Sequence, residues 1–307
     1  MKKSMLYVFE LLLLCAGMMA SCDDDGLTRG DLSALTANHF TAYVQTDDED
    51  SLMYFIDNLN GTASATYDAT NPLHRASASS TTIHIPYCWG ERIIPEVVTS
   101  TSNGKEYTVT AIGKEAFMGC WKMTSITIPE TVNTIGEGAF TMCNNLATVN
   151  IPGAVTEIPV ACFARCSSLR NTDMLHSDVT SIGKMAFYYC TKLTKITIPE
   201  GVESIGERAF FLCVNASLTS VRIPSTVKSI GAYAFGHNYN ADASKPEETY
   251  SHIVDYYIDA AEPPVLEGPL FTTDGSPRAV PTVHVPASSV DAYKAAPYWQ
   301  DLNIVAE

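Results

Sequence analysis

Basic residues are scarce in this sequence: 19 Lys and Arg stand against 34 Asp and Glu, a formal net charge of −15 over 307 residues. A surface of that sign repels nucleic acid and anionic lipid, so neither is expected as a partner. Metal and catalytic signatures are missing as well. Nine cysteines are present, yet no C-x-x-C and no Cys/His spacing of a zinc site occurs. The histidines at 39, 74, 84, 176, 237, 252 and 284 fall in no zincin, triad or glycine-rich context. The acidic run Asp47, Asp48, Glu49, Asp50 lacks the spacing and the glycine of an EF-hand. No general acid can be paired with a base, so no catalytic residue, metal site or cofactor is expected. Sixteen prolines and 18 glycines are too few for a fibrous or disordered chain.

What the sequence does have is a repeat. Ile112, Ile135, Ile158, Ile182, Ile205 and Ile230 follow one another at 23, 23, 24, 23 and 25 residues. Five residues after each stands Phe117, Phe140, Phe163, Phe187, Phe210 or Phe235, and three further on Cys120, Cys143, Cys166, Cys190 or Cys213, with Asn238 ending the column. Repeats of this length cannot bury their own apolar faces and must stack as the coils of a solenoid. One coil reads Ile126-x-Ile128-Pro129-x-x-Val132-x-x-Ile135-Gly136-x-x-Ala139-Phe140. The alternation at Ile126 and Ile128 predicts a short strand ended by proline, which has no N–H for a further rung. A second straight segment then leads through Ile-Gly into a short helical turn carrying Ala139 and Phe140. The third repeat departs, with Pro159 for glycine, Cys162 for alanine, Leu175 for proline and an extra residue near His176. Either a bulge presents Asp173 and His176, or the repeat has drifted.

The pattern L-x-x-I-x-I-P-x-x-V-x-x-I-G-x-x-A-F-x-x-C, kept over six units, resembles the BspA-like class of leucine-rich repeat. The ending Thr282-Val283-His284-Val285-Pro286, then Val290 to Lys294 and Trp299, resembles the C-terminal end of such proteins. The resemblance implies a β-rich, right-handed leucine-rich-repeat solenoid with a parallel sheet, short helical turns and β-type caps. It also implies a cell-surface adhesion or binding role, without supplying a ligand.

Lys2, Lys3, a short apolar run around Leu11 to Leu14 and Met19-Ala20-Ser21-Cys22 read as a secretory signal rather than a membrane span. Cys22 after Ala-Ser resembles a bacterial lipobox, so it is expected to carry the lipid, and Asp23 to Asp25 to direct the protein to the outer face of an outer membrane. The chain divides into a signal peptide (1–22), a flexible tether (23–40), an N-terminal cap with a degenerate repeat (41–108), the repeats (109–236) and a C-terminal cap (237–307). Within the caps, Leu52 to Ile56 and Ala63 to Tyr67 predict strands about a turn at Asn60-Gly61. Ile83 to Pro86 repeats the strand-plus-proline signature, and Asn103-Gly104 predicts a hairpin. Ile253 to Ile258 and Val283 to Val285 predict two more stacked strands, covered by Tyr293, Tyr298 and Trp299.

The five cysteines of the column are expected to be buried core thiols, with Cys162–Cys166 or column neighbours as the alternative pairs. Two surfaces could hold a protein or glycan partner. The outward face of the sheet is expected to carry Ser125 and Thr127, Thr148 and Asn150, Asn171 and Asp173, Lys195 and Thr197, and Ser220 and Arg222, with positive charge in its C-terminal half. The rival is a ridge after each phenylalanine, formed by Met118, Met142, Tyr188, Tyr189, Phe211 and Leu212. A scaffold or accessory role for other envelope proteins is the alternative to adhesion.

Overall fold

The computed structural model describes residues 39–45, 50–57, 62–66, 89–101, 103–236, 252–271 and 281–307. Cys22, the lipobox, Asn60-Gly61 and Ile83 to Pro86 lie outside them. Successive coils stack, and each has three sides. On the first side Trp89–Ile93, Lys122–Thr127 and Thr148–Val149 pair in parallel. Further on, Ser220–Ile223, Asp255–Ile258, Thr282–Val285 and Asn303–Ala306 form a four-stranded parallel sheet. Trp89–Ile93 and Asn303–Ala306 are strands beyond those read from sequence. Between the two sheets the third repeat has no strand: Thr172 to Leu175 make a turn, closed by Leu175 N–H to the Thr172 carbonyl at 3.0 Å.

The second side is a ladder of dipeptides. Glu157–Ile158, Ser181–Ile182, Ser204–Ile205, Ser229–Ile230 and Val265–Leu266 pair in parallel, each isoleucine or leucine inward. The glycine after Ile182, Ile205 and Ile230 lets the coils close: a Cβ on Gly206 would overlap the Lys184 backbone, and one on Gly183 would sit 2.7 Å from the Pro159 carbonyl carbon.

The third side carries the turn after Ile-Gly, and it is a run of i→i+3 turns rather than a helix. Ala139 N–H bonds the Gly136 carbonyl and Cys143 N–H the Phe140 carbonyl, at 3.3 and 3.2 Å. Helical propagation stops because residues three and seven after the isoleucine adopt positive φ, among them Gly138, Met142, Arg165, Tyr189, Arg208 and Leu212. Their N–H groups are thereby turned along the axis: Met142 reaches the Ala164 carbonyl and Tyr189 the Phe211 carbonyl, both at 2.8 Å.

Inside, the six phenylalanines form one stack, with ring centroids 5.2–5.5 Å apart and nearly parallel planes. Offset aromatic pairs of this kind add to area burial. The stack does not stop at Phe235, which meets Tyr256 edge-on at 5.7 Å; Tyr256 in turn stacks on Phe271. Beside it run the thiols of Cys143, Cys166, Cys190 and Cys213, free, buried, and donating to the carbonyls of Phe117, Phe140, Phe163 and Phe187 at 3.1–3.4 Å. Cys162 is also a free, buried thiol. Cys120 corrects the expectation for the column: it is disulfide-bonded, with its partner outside the described residues. Cys120 heads the column.

The caps follow the sequence closely. His39–Gln45 and Asp50–Asp57 form an antiparallel hairpin, and Thr62–Thr66 pairs antiparallel with the second of these strands. The strand His39–Gln45 overlaps the last two residues of the segment read as tether (23–40). Thr62–Thr66 then runs parallel to Glu106–Ile112, which joins the second side through Ile112 and Ile135. Val97–Thr99 pairs antiparallel with Glu106–Ile112 around Asn103-Gly104, as the hairpin requires. At the other end Tyr293 and Trp299 are buried and donate to the Ala260 and Pro264 carbonyls at 2.8 and 2.7 Å. Tyr298 does not cover the last coil; it is exposed.

Candidate partner-binding surfaces

On the first side the expected residues do point outward. Ser125 lies opposite Thr148, Ser220 opposite Asp255, and Arg222 opposite Tyr257. Asn150, Asp173, Lys195, Thr197 and Arg222 are engaged by neighbouring coils. Asp173 accepts from Lys195 Nζ at 3.1 Å and from Thr197 Oγ1 at 2.7 Å, and these bonds, the threonine's first, hold its carboxyl below the usual range. Arg222 binds Asp259 and, at 2.8 Å, Glu307, and its guanidinium lies 5.2 Å over the Tyr257 ring. Tyr257 stacks on His284 at 4.5 Å, and His284 Nε2 lies 2.8 Å from Asp255. The expected positive half of this face is therefore cancelled by Asp173, Asp259 and Glu307, which sequence spacing does not bring near Lys195 or Arg222. The face is also interrupted at the third repeat. There Thr172 Oγ1 accepts the Thr197 N–H and donates to its carbonyl, both at 2.8 Å. His176 belongs to the frame too, with Nε2 3.1 Å from the Pro152 carbonyl. Asn171 and Thr127 remain exposed.

The third side holds the rival ridge, and the structure divides it. Phe211 and Leu212 are buried, 7% and 4% exposed, because the next coil offers Gly236, over which the Phe211 ring lies. Met118, Met142 and Tyr188 are half-buried, and Tyr189 is exposed. Tyr188 stacks on Phe211 at 5.8 Å with planes 1° apart. Arginines that sequence reading passed over join them. Arg165 lies 5.3 Å over Tyr189, and Arg208 lies 5.8 and 6.0 Å from the Phe211 and Tyr233 rings. Both occupy positive-φ positions. Their signal in the sequence is their register: the same two repeat positions that hold Gly138 and Gly119 elsewhere. Lys184 and Arg208 both pair with Glu207, at 2.7 and 3.1 Å, so two cations share one carboxylate. Trp121, at the N-terminal end of this side, is 53% exposed beside Lys122.

Among the described residues no group of three His, Cys, Asp or Glu could hold a metal ion, and no helix is long and apolar enough to cross a membrane.

Coils of this period, with an inward isoleucine, leucine or valine on each strand, define a leucine-rich-repeat protein. Residues 108–253 match the BspA type leucine rich repeat region in six copies. Similar solved structures include a leucine-rich repeat protein from Bacteroides ovatus ATCC 8483 at 22% identity and a TM-score of 0.42, covering 82% of this chain and 70% of that one. The T. pallidum leucine rich repeat protein has 20% identity and a TM-score of 0.48, over 87% of this chain and 95% of its own. A leucine rich cell surface protein from Faecalibacterium prausnitzii A2-165 has 22% identity and a TM-score of 0.43, over 81% and 71%. No curated protein matches the sequence.

Proposed function

We propose that this is an exported, lipid-anchored, non-enzymatic binding protein of the cell surface, which holds its partner on the third side of the solenoid. The observation that carries the choice of side is the sharing of Glu207 by Lys184 and Arg208 next to the half-exposed Tyr188 and the exposed Tyr189. That arrangement leaves positive charge and phenol rings facing solvent, whereas Lys195 and Arg222 on the first side are already paired. Tyrosine and arginine are favoured anchors of binding surfaces. Export and anchoring rest on the basic start, the short apolar run and Cys22, and the adhesive role on the BspA-type repeats.

Two variants of the chain test the side. Fractions of the producer's envelope and of host matrix are presented to protein carrying Tyr188→Ser with Tyr189→Ser, or Lys195→Glu with Arg222→Glu. Loss of capture is expected only in the tyrosine pair. Loss only in the charge-reversed pair moves the site to the first side. Capture of self proteins alone favours the scaffold role.

A further inference from the structure

We infer, resting on the third-side reading above, that the partner is an acidic polysaccharide, a chain of carboxylate-bearing pyranoses laid along the solenoid axis.

Charge comes first. In a protein of net charge −15, the third side of repeats three to five carries Arg165, Lys184 and Arg208 against Glu207, three positive groups and one negative, hence +2. A local excess of this sign on an acidic body attracts an anionic polymer and orients it. The cations also lie on successive coils, each displaced from the last by about 4.8 Å along the axis. A polymer with a charge on every unit can reach cations on several coils at once.

The apolar groups decide between a glycan and an acidic protein. A protein partner gains most by driving a large side chain into a desolvated pocket. In repeats three to five most apolar side chains of this side are already covered: Ala161, Ala164, Met185, Phe211 and Leu212 are all buried. What faces solvent is phenol rings, guanidinium and ammonium. Pyranoses complement that set, with C–H faces for rings and hydroxyls and carboxylates for the donors. Tyr188 offers a place for one such ring. Phe211 covers one of its faces, but in the preceding coil the same repeat position holds Ala164, so on that side the ring rises above a methyl group as a low wall. The arginines are fixed by their stacking on aromatic rings, so little of their freedom remains to be lost on binding a carboxylate.

The test uses the full chain with Cys22→Ser and three probes: polygalacturonate, neutral dextran and polyglutamate, in affinity electrophoresis or calorimetry. Polygalacturonate should bind, weakening as salt rises, and dextran should not. Lys184→Glu with Arg208→Gln should weaken polygalacturonate at least about tenfold, and Tyr188→Ser should weaken it without changing the salt dependence. Polyglutamate bound as tightly as polygalacturonate would overturn the glycan in favour of an acidic protein. Binding to neither polyanion would overturn the proposal outright. Polygalacturonate binding lost in Lys195→Glu with Arg222→Glu, and kept in the third-side variants, would instead sink the choice of side while sparing the glycan.

Discussion

The carboxamide of Asn150 grips both ends of the Ile128 residue: Oδ1 accepts its N–H and Nδ2 donates to its carbonyl, each at 2.7 Å. A side chain thus completes the ladder where the strand Thr148–Val149 stops short of Lys122–Thr127 in length. Asn150→Ala should lower stability by about 1–3 kcal/mol, the cost of leaving a part-buried peptide unpaired. Thr148→Ala, at an exposed neighbour on the same face, should lie within about 0.5 kcal/mol of the parent. Equal midpoints for the two in urea would mean that the carboxamide is a surface group after all.

The phenylalanine stack predicts a profile. Phe163→Ala should cost about 3–5 kcal/mol, as for other buried aromatics. The sequence alone predicts a milder loss at Phe235, because the repeats end there. The structure continues the stack through Tyr256 and Phe271, so Phe235→Ala should be nearly as damaging. A clearly smaller shift at Phe235 in chemical denaturation would mean that Tyr256 is not packed on it.

Glycines separate sharply by place. Gly206→Ala forces its methyl against the Lys184 backbone, which cannot yield without opening the coils, so this variant should lose several kcal/mol or fail to fold. Gly153 has nothing within 4 Å of where a Cβ would stand, and Gly153→Ala should be neutral or slightly stabilising. Thermal melts of the pair check this directly.

Burial pushes the Cys213 thiol from an ordinary 9.0 up to about 12, and those of Cys162, Cys166 and Cys190 also rise. A raised thiol keeps its proton in the folded state after the unfolded chain has lost it. The stability it confers is therefore complete below pH 9 and is lost as pH climbs towards 12. Over that window the fall of stability with pH should be shallower in Cys213→Ala by about 1.4 kcal/mol per unit, one proton's worth. An unchanged slope would contradict the burial. In the native protein these thiols should resist alkylation, and Cys120 should resist it even in denaturant until reduced.

The interior was legible because each buried position recurs: Ile135, Phe140 and Cys143 are read six, six and five times over, and one period places them all. The outer surface is not periodic, and there the reading failed in identifiable ways. Lys195 and Asp173 are 22 residues apart, and Arg222 and Glu307 are 85 apart. Only the rotation of one coil upon the next brings such pairs together. Phe211 looks like an exposed ridge residue until Gly236, one coil on, is seen to make room for it. The turn after Ile-Gly carries helix-compatible residues, but inter-coil hydrogen bonds outweigh local propensity and hold every fourth residue at positive φ.

The missing strand of the third repeat also has a mechanical meaning. Bonds between coils run along the axis, so a pull between the two ends loads the coils in series, and the poorest junction gives way first. On the first side that junction lies between Thr148–Val149 and Ser220–Ile223, where Thr172 stands in for a strand. A protein stretched under shear should extend there before its ends unravel, yielding in two unequal halves rather than one coil at a time from a terminus. Single-molecule pulling would record this as an early step that Thr172→Ala shifts to lower force.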